Sequence, residues 1–97
     1  MAYAILASSV AQRELDGLPN GIADGIRLVL RAFAQEPRSK RFDVKALKGI
    51  DERPPLLRLR IGDYRVVFQI HPPLKEIHVS RIGHRRNVYR AMRGVGD

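Results

Sequence analysis

Apolar and polar residues follow two different periods along this chain, and the change between them divides it into a helical half and a sheet half. Ile22, Ile26, Val29, Leu30 and Phe33 recur at steps of three and four, which predicts one apolar stripe on a helix. That helix starts after Pro19, with Asn20 as its cap, and reaches about Gln35. Glu36-Pro37 ends it, because the residue before a proline is pushed out of the α region. Upstream, Tyr3 to Ala7 predicts a short strand. Ser8 or Ser9 then caps a first helix to about Leu18, with Val10 and Leu15 turned inward. The first half therefore reads as a helical hairpin whose stripe covers a sheet.

The period drops to two after Pro54-Pro55. Gly62-Asp63 suits a two-residue type II′ turn, with glycine first, between two alternating strands. Counting outward from it sets Ile61 opposite Tyr64, Arg60 opposite Arg65, Leu59 opposite Val66 and Leu57 opposite Phe68. Leu57, Leu59, Ile61, Tyr64, Val66, Phe68 and Ile70 then face the helices. Arg58, Arg60, Arg65, Gln69 and His71 gather on the other face, which should carry no hydrophobic load. Two arginines set directly across a ladder repel one another, so a sheet that keeps Arg60 against Arg65 is expected to hold them for an anion. After Pro72-Pro73 a further strand, Lys75 to Gly83, sets Ile77 and Val79 on one side and His78, Ser80 and Ile82 on the other. Gly83 releases the chain into His84-Arg85-Arg86, and Asn87 caps a last helical turn with Val88, Tyr89 and Met92. Residues 38–55 have no clear period and predict an irregular basic connection with at most one short helix or strand.

The charge sharpens this picture. The 97 residues carry a net charge of +8. Residues 1–36 hold three arginines against four carboxylates, net −1, and residues 37–97 hold fifteen basic against six acidic residues, net +9. Positive charge concentrated in one half is the electrostatic footprint of a nucleic-acid binder. Lys45 and Lys48, in the basic connection, are candidate phosphate contacts. A chain of this length is expected to form one domain, with a core that needs no staple, burying roughly two thirds of its unfolded surface. There is no cysteine, hence no disulfide framework and no thiolate metal site. No stretch approaches the roughly 20 apolar residues of a membrane span. The apolar start lacks the preceding basic residues of a signal peptide, so a cytoplasmic location is expected by elimination.

Leu47-Lys48-Gly49, then Leu-Arg-Ile-Gly-Asp-Tyr-Arg-Val-Val-Phe (residues 59–68), then Ile-Gly-His-Arg-Arg-Asn-Val-Tyr (residues 82–89), closely resemble the RelE/ParE superfamily of bacterial and archaeal toxins. The order and spacing cover nearly the whole chain, about residues 3 to 92. The paired strand arginines and the Gly-His-Arg-Arg-x-Val-Tyr ending look more like the RelE ribonuclease branch than the ParE gyrase-inhibitor branch.

The resemblance implies an α+β domain: a small antiparallel sheet of three to four strands plus the N-terminal strand, packed on the helical hairpin, with a short C-terminal helix. It also implies cleavage of messenger RNA in the ribosomal A site and neutralisation by a RelB-like antitoxin, acidic and partly disordered, that wraps the basic face. The toxin alone would be a monomer. Carried over by position, Arg65 and Arg85 match the family's phosphate-binding arginines, and Tyr89 matches its catalytic tyrosine. Leu56 and Arg58 stand where some members have two lysines, one a proposed base. A guanidinium does not deprotonate in proteins, so Arg58 is expected to serve as a cation instead.

The chemistry expected is attack of an RNA 2′-hydroxyl on its own 3′-phosphate, with Arg58, Arg65 and Arg85 stabilising the charge that gathers on the phosphorane. Arg60 and Arg86, with Lys45 and Lys48, would hold further phosphates. An unperturbed imidazole changes charge near neutrality, which makes His84 the first choice to move a proton, with Tyr89 second; His71 and His78 are read as incidental strand residues. Neither metal nor other cofactor is expected. Two other functions fit the same residues: inhibition of DNA gyrase, and RNA binding without cleavage.

Overall fold

The structure, a computed structural model, describes residues 2–90 together with Met92 and Gly94. The first strand, β1 (Ala4–Ala7), leads into helices α1 (Ser9–Asp16) and α2 (Asn20–Gln35). Strands β2 (Asp43–Ala46), β3 (Leu57–Ile61), β4 (Tyr64–His71) and β5 (Glu76–His84) follow. They form one sheet in the order β1-β5-β4-β3-β2. Strands β2, β3, β4 and β5 pair antiparallel with one another, whereas β1 lies parallel to β5, with Ile5 opposite Ile77. The sheet is therefore mixed rather than antiparallel. A parallel neighbour needs a long crossover, and the helical hairpin provides the path between β1 at one edge and β2 at the other.

Ser8 caps α1, its Oγ accepting from the Ala11 amide at 3.1 Å. The helix turns Ala11 and Leu15 into the core, one turn apart; Val10, expected inside, flanks that stripe and is 41% exposed. In α2 the residue expected to cap is already helical: Pro19 occupies the cap position and no side chain bonds to the first turn. The stripe itself is buried as the period requires, with Ile26, Leu30 and Phe33 at its centre. Phe33 packs edge-on against Phe68 of β4 and Phe42, both with ring centroids 5.2 Å apart.

Two departures shape the sheet. A bulge lies in β5, where Val67 pairs with Arg81 and Phe68 with Val79, leaving Ser80 as the extra residue. One extra residue reverses the alternation beyond it, so Ile82 joins Ile77 and Val79 in the helix-side core instead of facing away. The other departure is at the end of the chain. Asn87 and Val88 both donate to the His84 carbonyl, at 2.8 and 2.9 Å, and Arg90 donates to Asn87 at 3.1 Å. These bonds close successive turns, not an α-helical ladder, so the short C-terminal helix is not formed over residues 87–90; its continuation lies largely outside the described residues. No helix among the described residues is long and apolar enough to cross a membrane.

Candidate nucleic-acid interface

Pairing across β2, β3 and β4 builds a basic patch on the face of the sheet turned away from the helices. Lys45 stands opposite Arg58, Asp43 opposite Arg60, and Arg60 opposite Arg65. Each alternates with a residue of the helix-side core, such as Val44, Leu59 or Val66, so strand geometry alone commits the basic side chains to one face.

That face is not bare. Leu47, Leu56, Val67 and Val88 form a second apolar cluster there, with Ile50, Tyr89 and Met92 packed against it. The connection after β2 and the turns after β5 thus fold over the sheet. Gln69 pins the former by donating from Nε2 to the Pro54 carbonyl at 2.6 Å. The latter packs close to β5 at Gly83, where an added Cβ would stand in ordinary van der Waals contact, 3.5 Å, with Val88 Cβ. Covered in this way, Arg58 and Arg65 are 3% and 5% exposed, whereas the neighbouring Arg60 is 53% exposed. The expected face without hydrophobic load is corrected accordingly: the cluster of Leu47, Leu56, Val67 and Val88 shares it with the arginines.

Each buried guanidinium has defined acceptors. Arg58 Nη1 donates to the main-chain carbonyl and to Oδ1 of Asp43, both at 2.9 Å. Arg65 Nη1 donates to the carbonyls of Gly62 and Tyr64, at 3.0 and 3.1 Å. Arg60 leans to the other oxygen of Asp43, 4.0 Å away. The facing arginines therefore do not confront each other: one turns into the hairpin turn and the other toward a carboxylate. The hydrogen bond from Arg58, aided by the charges of Arg58, Arg60 and Lys45 and opposed by partial desolvation, holds the Asp43 carboxyl below its ordinary range.

The β3–β4 turn gathers Arg65 and Arg85. Gly62 takes φ +58° and is the turn's only positive φ, as a type II′ turn requires. Its carbonyl receives Arg65, while the Asp63 carbonyl accepts the Arg85 amide at 2.7 Å and Asp63 Oδ1 lies 3.7 Å from Arg85 Nε. One turn thus anchors a buried arginine and a half-exposed one.

The other expected site residues divide. Tyr89, half-buried against the cluster of Leu47, Leu56, Val67 and Val88, shares the arginine face. His84 does not: it pairs with Tyr64, and the two rings meet edge-on at 5.4 Å on the helix-side rim. Its Nδ1 accepts from the Arg86 amide at 3.2 Å. Lys45, Lys48 and Arg86 are exposed. His71 and His78 stack at 4.0 Å at the far end of β4, and His78 Nε2 lies 2.9 Å from Glu76. That is roughly 20 Å from Arg65, counting about 3.3 Å per strand residue. Among the described residues, no three His, Asp or Glu side chains gather to hold a metal ion.

The sequence reading missed the two carboxylates, Asp43 and Asp63, that partner these arginines. Asp63 had a signal, its place in the turn beside Arg65. Asp43 had none, because the pairing of β2 with β3 spans an irregular connection.

Solved structures of similar shape are toxins. The archaeal RelE of a RelE–RelB complex from Pyrococcus horikoshii superimposes with a TM-score of 0.71 at 26% identity, covering 91% of this chain and all of that one. The RelE of the RelB–RelE complex from Methanococcus jannaschii gives 0.67 at 24% identity, covering 90% and 98%. The isolated RelE toxin of E. coli gives 0.67 at 19%, covering 86% and 84%. No match to the sequence is found among curated proteins. A family model described as the ParE toxin of type II toxin-antitoxin systems matches residues 5–89. With that match spanning most of its length and a RelE toxin's fold, this chain belongs to the ParE toxin family of type II toxin-antitoxin systems, within the RelE/ParE superfamily.

Proposed function

We propose that this toxin is a ribosome-dependent endoribonuclease that cuts messenger RNA without a metal. The observation that carries the reading is the β3–β4 turn, which fixes Arg65 and Arg85 together, beside a face that holds Arg58 and Tyr89. In the reaction the 2′-hydroxyl loses its proton and O2′ attacks the adjacent phosphorus. The P–O5′ bond then breaks, leaving a 2′,3′-cyclic phosphate and a 5′-hydroxyl that takes up a proton. Arg65, buried and already oriented, and Arg85, exposed to an incoming strand, stabilise the phosphorane. Arg58 adds charge from beneath. Tyr89 replaces His84 as the first choice for proton transfer, because His84 lies with Tyr64 on the other side of the sheet. A protonated phenol is a poor base, so positioning of the RNA must supply much of the rate. A ribosome holding messenger RNA bent in its A site supplies that positioning, and it places the activity in the cytoplasm.

The partner is an antitoxin with acidic and apolar residues that covers the arginine face; the RelE toxins of Pyrococcus and Methanococcus were solved in complex with RelB. Sequencing RNA ends from translation reactions programmed with this toxin tests the proposal. Cyclic-phosphate ends should appear in messenger RNA only when ribosomes are present. A second reading, inhibition of DNA gyrase, is favoured by the ParE description of the matching family. Supercoiling by purified gyrase separates the two: inhibition there, with intact messenger RNA in translation, replaces the ribonuclease reading.

A further inference from the structure

Four cations, Lys45, Arg58, Arg60 and Arg65, are neighbours across three strands, and a single carboxylate, Asp43, stands among them. Asp43 offers one oxygen to Arg58 at 2.9 Å and the other toward Arg60 at 4.0 Å. A carboxylate hydrogen-bonded to one guanidinium and facing a second at ion-pair distance occupies the place a phosphate would take. Asp63 stands 3.7 Å from one guanidinium, that of Arg85. Asp43 is also reachable: it is half-exposed and lies on β2, an edge of the sheet. The Glu14–Arg81 pair shows the contrast. Glu14 binds Arg81 with both oxygens and also accepts the Ile82 amide at 3.0 Å, just beyond the point where β1 stops pairing with β5. Glu14 completes a sheet edge; Asp43 completes no main-chain ladder.

We infer that Asp43 is a resident stand-in for an RNA phosphate, holding Arg58 and Arg60 oriented when no RNA is bound and competing with the RNA backbone for them when it is. This rests on the reading of the arginine face as an RNA site and adds a residue that sets its affinity. Asp43 is a positioning residue, and its charge lowers affinity while its hydrogen bond keeps the guanidinium in place.

Asp43→Asn separates the two roles, since the amide keeps Oδ1 as an acceptor and the main-chain carbonyl also remains for Arg58. The probe is a single-stranded RNA with 2′-O-methyl riboses, which cannot be cut, titrated at a series of potassium chloride concentrations. Asp16→Asn is the control: it makes the same change in net charge, at a carboxylate that pairs with Arg27 on the helical side. Asp43→Asn should bind several-fold more tightly than wild type. Its plot of log affinity against log salt should be steeper by about 0.7, the increment for one more neutralised phosphate on a single strand. Asp16→Asn should follow wild type. Equal behaviour of the two variants overturns the inference while leaving the RNA site standing. If wild type shows no salt-dependent binding, the RNA reading and the inference fall together. A measurement on wild type guards against misfolding of the variant. Carbon-13 NMR should show the Asp43 carboxyl titrating higher with RNA bound, as Arg58 and Arg60 turn to phosphate, with Asp16 moving less; an Asp43 midpoint that moves no more than that of Asp16 also overturns the inference.

Discussion

Replacing Arg85 with alanine removes a side chain that is 49% exposed and whose Nε stands 3.7 Å from Asp63. A surface pair of this kind contributes about 0–1 kcal/mol. The bond that docks the turn, from the Arg85 amide to the Asp63 carbonyl, is main-chain and survives the change. The melting temperature should therefore fall by no more than about 4–8 °C, the shift expected per kcal/mol in a domain of this size. Arg65→Ala is a different perturbation. Arg65 is 5% exposed and donates to two carbonyls, Gly62 at 3.0 Å and Tyr64 at 3.1 Å. Hydrogen bonds to a charged group are worth roughly 1.5–3 kcal/mol, and the truncation also leaves a hole beside the turn. A loss of about 2–4 kcal/mol follows, or on the order of 10–30 °C. On activity the two should agree, each losing about 10²–10³ in cleavage rate as for removal of one oxyanion donor. Thermal melts followed by circular dichroism give the first comparison. Primer extension on translation reactions, run well below both melting points, gives the second. Cleavage by Arg85→Ala at the wild-type rate would remove Arg85 from the site, and an Arg65→Ala protein as stable as wild type would refute the buried anchoring of Arg65.

Tyr89→Phe keeps the ring against the second apolar cluster and deletes only the hydroxyl. Cleavage should drop by about 10²–10⁴ if the phenol moves the proton, and an unchanged rate in single-turnover assays would reduce Tyr89 to a stacking platform. Asp43 gives a pH signature. Its carboxyl is held low in the folded state, so its contribution is complete above the unfolded value of about 3.9 and is lost as pH falls through the lower folded value. The stability gap between wild type and Asp43→Asn, measured by urea denaturation, should shrink on acidification through that window; a gap constant down to about pH 2 contradicts the Arg58 contact. Val67→Ala removes two buried methyl groups from the cluster beneath Tyr89 and should cost about 2 kcal/mol. Hydrogen exchange should then rise first in residues 85–90, and acceleration confined to the helices would show that the cluster does not hold that segment.

Local periodicity determined a large share of this protein from sequence alone. The α2 stripe, the Gly62 turn and every pairing from Ile61–Tyr64 to Leu57–Phe68 stand as the alternation implies, because those relations depend on residues close in the chain. The grouping of Arg58, Arg60 and Arg65 on one face follows from the same rule. Tertiary structure decided what local rules do not reach. It laid β1 parallel against β5, set the bulge at Ser80 that turned Ile82 inward, and folded two irregular segments over the arginines. It also placed His84 beside Tyr64 and Asp43 beside Arg58. Each is a contact between segments far apart in sequence, selected by which apolar surface remains to be covered and which charge remains to be matched after the local elements have formed.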